Sequence, residues 1–228
     1  MSGFNTHRNL SLVRNIPRDL LSLALTFNQP SLPVLTCQFL FRYLRGVEDI
    51  PLDADLPEIT SRIYIYNSAR AVFFAPSDLS GIAGLRHERI RSVASWYGGP
   101  ARRDCVYVGL SEDEGFRGLN IARVLLFFSF KYGREVLPCA LVHWFSHVGD
   151  EPDDETGLWV VEPDLRSSKP FLQVIHLDTV LRGAHLIGNA GREFLPPLNK
   201  FNFSDSLNSF KSFYVNKYID YCAHEMAF

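Results

Sequence analysis

Paired cysteines are missing from this chain. Its four thiols, Cys37, Cys105, Cys139 and Cys222, stand far apart with no C-x-x-C spacing. That excludes a zinc or thioredoxin-like motif and reads as reduced, mostly buried thiols of an intracellular protein. Long apolar runs are missing too. "LLSLALTF" at 20–27 is too short to cross a bilayer and leads into "NQPSLP" with no small-residue cleavage site, so neither a membrane nor a secreted protein is expected. Charge is nearly balanced, 23 basic against 25 acidic residues for a net of -2. A general nucleic-acid signature is therefore absent, and any such binding must be local. Phosphate loops and nucleophile elbows are absent as well. "GIAGLR" has neither Lys-Ser/Thr nor G-x-G-x-x-G, and "SDLSGIAG" does not make G-x-S-x-G.

What is present is apolar and aromatic. The 228 residues are 46% hydrophobic with 18 phenylalanines, enough for one packed domain and favourable to sheet, where aromatic rings fit a pleated surface. Residues 1–28 read as a loose tail with a short helix near Pro17–Phe27. Residues 29–60 hold a second helix, with Leu35, Phe39, Leu40, Tyr43 and Leu44 at helical spacing before Gly46, and then the acidic linker "VEDIPLDADLPEIT". Residues 61–228 form a strand-rich core. Its strand candidates are "RIYIYNSARAVFFA", "DCVYVGL", "ARVLLFFSFKY", "CALVHWFSHV", "GLWVVEP" and "FLQVIHL", separated by turn-forming clusters, with "YGRE" as a tight hairpin. A short helix is expected in "DTVLRGAHLI" and a long one from Ser204 or Asp205 to the C-terminus. The expected fold class is α+β: an antiparallel, barrel-like sheet with small N-terminal helices and a covering C-terminal helix.

The stretch "CALVHWFSHVGDEPDDETGLWVVEPD" (139–164) concentrates histidine, tryptophan and carboxylate. His143 and His147 would share a helix face and bind zinc there. On a strand they stand about 13 Å apart, at roughly 3.3 Å per residue, too far for one ion. The loop between the strands lacks the ligand order and central glycine of an EF-hand. Asp104, Asp150 and Glu162 lack the alternating helices of a two-metal nuclease fold. No catalytic residue, metal site or cofactor is assigned. Two strands joined by a solvated acidic loop is the expectation.

One segment keeps a binding reading open. "GLRHERIRSVASWYGGPARRD" (84–104) places Arg86, Arg89, Arg91, Arg102 and Arg103 around Trp96 and Tyr97. Arginines interleaved with aromatics grip phosphates and stack on bases. The same residues can also pin a long loop to the acidic 150–164 segment.

"RAVFFAPSDLSGIAGLRHERIRSVASWYGGPARRDCVYV", "GLNIARVLLFFSF", "PCALVHWFSHVGDEPDDETGLWVVEPD", "VIHLDTVLRGAHLI" and "SFYVNKYIDYCAHEMAF" occur in this order. Together they resemble the C-terminal region of Plavaka-type proteins, encoded by fungal DNA transposons related to the CACTA group, over residues 29–228. The resemblance departs at "HLIGNAG", where the family more usually reads His-Leu-Ile-Pro. It implies that the catalytic transposase core is absent from this chain. It also implies a nuclear setting, a cytoplasmic one being the alternative, and DNA or a transposase core encoded elsewhere as partner. No catalytic residue is carried over. The expected function is thus a non-catalytic accessory domain binding nucleic acid or protein, with Arg86, Arg89, Arg91, Trp96, Arg102 and Arg103 as the contact surface. Two alternatives stand beside it. One is a protein-interaction module with an aromatic cage drawn from Trp96, Tyr97, Trp144 and Trp159. The other is a transposon remnant without selected function. Neither a membrane nor a small-molecule substrate is implied.

Overall fold

The computed structural model describes residues 12–74, 84–109, 115–191, 205–220 and 223–224. Two helices come first. In α1 (Leu20–Thr26), Asp19 caps the N-terminus by accepting the Ser22 amide at 2.8 Å. In α2 (Leu32–Arg45), proline sits in the first turn and Gly46 closes the helix with a left-handed φ of 63°. The strands follow as β1 (Tyr64–Tyr66), β2 (Ser68–Phe74), β3 (Leu85–Val93), β4 (Arg102–Arg103), β5 (Cys105–Gly109), β6 (Leu119–Tyr132) and β7 (Glu135–His147). After them come β8 (Val160–Pro163), β9 (Leu165–Arg166), β10 (Lys169–Pro170), β11 (Leu172–His176), β12 (Val180–Ala184), β13 (Leu186–Asn189), the short α3 (Ser206–Ser209) and β14 (Ser212–Val215). The class is α+β, mostly antiparallel.

The frame is the β6–β7 hairpin, closed by a two-residue turn between Tyr132 and Glu135. Its sheet runs β12-β5-β6-β7-β8-β14-β13, with β1 also on β6 and β11 also on β7. The expected barrel is not found: the described strands end at β12 and β13 without closing, because β1 and β11 extend the hairpin's outer end instead of continuing the row. Both faces of the hairpin are apolar because both are covered. One face packs Leu126, Phe128, Phe130, Leu137, Cys139 and Leu141 under α1 and α2. The other packs Val124, Phe127, Ala140 and Val142 under Ala69, Ala71 and Ile90 of β2 and β3. A bulge between Val124 and Leu126 shifts the alternation by one residue, so Phe127 continues the face of Ala122 and Val124.

Residues 12–28 are tied to this core. Leu12 bridges Tyr66, the Val13 amide donates to Ile65 at 2.8 Å and the Ile63 amide donates to Arg18 at the same distance. Two helix expectations are corrected. "DTVLRGAHLI" (178–187) begins inside a 3-10 turn (Leu177–Thr179) and continues as strand residues of β12 and β13. The covering C-terminal helix is replaced by α3, four residues long, and by β14. Phe213 and Val215 alternate inward in β14 against Phe145, Trp159 and Val161, a period of two that a helix would scatter. Ser204, Cys222 and residues 225–228 lie outside the described residues.

Candidate nucleic-acid interface

The arginine-rich segment is largely strand, not loop. β3 pairs with β2 in a register that sets Ser68 against Arg91, Arg70 against Arg89 and Phe73 against Arg86. β4 pairs Arg103 with Ser92 and Arg102 with Val93. Alternation then sorts the five arginines of the expected contact surface onto two faces. Arg89, Arg91 and Arg102 share the face turned away from Ala69, Ala71 and Ile90. Arg86 and Arg103 share the opposite face with Glu88 and the buried Ile90. The outer face gains Arg70, directly across from Arg89. Among the described residues no carboxylate lies within ion-pair distance of Arg70 or Arg89.

Trp96 sits at the tip of the β3–β4 turn. The Arg91 and Arg102 guanidiniums lie over its ring at 4.8 and 5.1 Å, and the Tyr97 ring meets it edge-on at 4.5 Å between centroids. Tyr97 is 91% exposed and has a φ of 50°. The anchor of this turn is Asp104, which accepts Arg102 Nε at 2.7 Å and the Arg91 amide at 2.8 Å. These arginines are therefore ordered by a local acid and not by the 150–164 loop. That loop joins β7 to β8, as expected, with His147 opposite Val161.

On the inner face lies an ion network that the sequence did not announce. Arg182 is 3% exposed. It donates to both Asp220 oxygens at 2.9 and 2.5 Å, its Nε stands 3.7 Å from Glu88 Oε2, and its guanidinium covers Phe73 at 4.6 Å. Glu88 also accepts the Gly183 amide at 2.9 Å. The hydrogen bonds from Arg182 hold Asp220 below the ordinary carboxylate range, with the Arg86 charge helping. Burial lowers Arg182, but Asp220 and Glu88 outweigh it and raise it overall.

A groove of about 540 Å³ runs between β3 and the β12–β13 edge. Arg89, Arg91, Arg102, Arg103 and Arg182 line it, with Glu88, Asp104 and Asp220 as its carboxylates among the described residues. Burial, then the charge of Arg123, pull Arg103 below its ordinary value.

The tryptophans of the cage reading lie apart. Trp144 is buried and donates to Gln173 at 2.9 Å, and Trp159 is buried against Phe116 at 5.0 Å. Neither makes a ring contact with Trp96 or Tyr97 among the described residues. His143 and His147 also part company: His143 pairs with the Asp164 carbonyl at 3.1 Å, while His147 stacks on Phe116 at 4.8 Å. Among the described residues no three His, Cys, Asp or Glu side chains converge on a metal position. No helix among them is long and apolar enough to cross a membrane.

Sequence reasoning missed Arg70, Arg123 and Arg182. Arg70 sits in an apolar strand and gains meaning only from the register opposite Arg89. Arg182 meets its acids across 38 and 94 positions of chain, so no local spacing announces it. No protein-family model, curated protein or solved structure matches this chain.

Proposed function

We propose that this chain is a non-catalytic, nucleic-acid-binding accessory domain of a transposon-encoded protein of the Plavaka type. Its contact surface is the outer face of β2–β4. The single observation that carries the binding reading is the Arg70–Arg89 pair. Like charges directly opposite on a sheet destabilise it, and here no acid among the described residues offsets them. Phosphates would supply the missing charge, and Arg91 and Arg102 extend the strip toward the exposed Tyr97 ring. Phosphate contacts of this kind position a protein on nucleic acid without reading sequence. The transposon assignment, the nuclear setting and a transposase core as second partner rest on the ordered resemblance of residues 29–228.

The test is a titration of labelled duplex and single-stranded DNA at several salt concentrations. Affinity should fall log-linearly with salt, with little dependence on sequence. Arg89→Glu should weaken binding to every sequence alike and reduce the salt slope by about one. Equal affinity of this variant and the unaltered chain would remove the surface from consideration.

A further inference from the structure

A polar belt crosses the sheet between two apolar clusters on one face. Leu126, Phe128 and Leu141 lie on one side of it, Ile121 and Phe145 on the other. The belt runs through registered partners: Cys105 opposite Arg123, and Arg123 opposite His143. Arg103 precedes Cys105 by two residues and is close enough for the Arg123 charge to depress it. Neither arginine has a carboxylate within ion-pair distance among the described residues.

We propose that Arg103 and Arg123 form an anion site that takes a phosphate-class group, with Arg103 on the face of β3–β4 opposite to that of Arg70 and Arg89. Both side chains are held in place by neutral partners, so their charge is kept free. Arg123 Nη1 donates to Asn208 Oδ1 of α3 at 2.7 Å, and Arg103 Nη1 donates to Ser92 Oγ at 3.1 Å. Arg123 Nε is fully buried and has no hydrogen-bond partner. A buried, unanswered donor on a cation is costly, and a tetrahedral oxyanion bonded to two guanidinium forks removes that cost. The nearest carboxylate in sequence, Asp104, is engaged by Arg102 and the Arg91 amide. Burial pushes the Cys105 thiol up to about 12, so it stays neutral, and burial holds the His143 ring below its usual value. Arg103 reaches the groove between β3 and the β12–β13 edge, which Cys105, Ser206 and Leu207 also line.

The experiment is thermal unfolding of the whole chain in sodium phosphate against sodium chloride of matched ionic strength. Inorganic phosphate at a hundredfold its Kd should raise Tm by about 5–10 °C over chloride. Arg123→Met should raise Tm in phosphate-free buffer, because an uncompensated cation is gone, and should abolish the phosphate response. Arg103→Gln should weaken that response while leaving the fold intact. A chain that responds equally to both salts, or an Arg123→Met variant that keeps the phosphate response, overturns the site. DNA competition separates the sources of the anion. Phosphate that displaces DNA assigns the site to a nucleic-acid backbone, and phosphate that leaves DNA affinity unchanged assigns it to a free phosphate. Arg70→Glu, on the outer face and outside the groove, should leave the phosphate response untouched, so failure of the outer face and failure of this site are read separately.

Discussion

Arg182 carries a charge at 3% exposure, which only Asp220 and Glu88 make tolerable. Asp220→Ala leaves that cation without its two-pronged partner and should cost about 3–5 kcal/mol, seen as a lower urea midpoint at unchanged slope. Arg182→Met in the same chain should recover part of the loss, because the new side chain packs on Phe73 while Glu88 keeps the Gly183 amide as a partner. Additive losses in the double variant would show that the network is not coupled. The histidines give a pH test. Burial lowers both His143 and His147 in the folded chain, so below the unfolded value near 6.5 the unfolded state binds more protons. Stability should therefore fall as pH drops below about 6.5 and level off once the folded-state values are passed. His147→Phe should flatten that fall in urea titrations at stepped pH. An unchanged pH profile would place the proton uptake elsewhere.

Elements differ in how strongly their neighbours constrain them. β13 is fixed by Phe210, whose ring lies directly on Gly188, so that an added Cβ would collide with it. Gly188→Ala should cost about 1–3 kcal/mol by displacing that ring, measured by thermal unfolding, and a neutral result would show that Phe210 moves freely. The β6–β7 hairpin and its acidic neighbour loop were legible in the sequence because each is local: apolar strands, a Gly-Arg turn, a proline-bearing acidic break. α1 and α2 were legible through the apolar run that follows Pro17 and through the helical spacing of Leu35, Phe39, Leu40, Tyr43 and Leu44 before Gly46. β14 was not, because Leu207, Phe210 and Tyr214 also fit a helix. Only the pairing of Phe213 with Val161 and Tyr214 with Val160 decides for the strand. β3 was hidden for the opposite reason. Its outer positions are arginine and histidine, so it lacks the apolar alternation that announces a strand.

At the scale of the molecule, one sheet supports everything else. Helices cover one face, the β2–β3 hairpin covers the other, and the arginine strip rides on that hairpin's outer side. Arg86, Arg89, Arg91, Trp96, Arg102 and Arg103 were legible in one sequence segment, but Arg70 and the division of the arginines between two faces were not, since both depend on the parity of β3 and on its register with β2 and β4. The acids that hold Arg182 and the neutral partner that holds Arg123, Asn208, depend on contacts between distant segments, which no spacing reveals. The central claim is that the outer face binds nucleic acid through its phosphates. It is tested most directly by titrating labelled DNA with the unaltered chain and the Arg70→Glu/Arg89→Glu variant across a salt series. The account predicts log-linear weakening with salt for the former and a slope shallower by about two for the latter. No binding at low salt, or the same slope in both proteins, would contradict it.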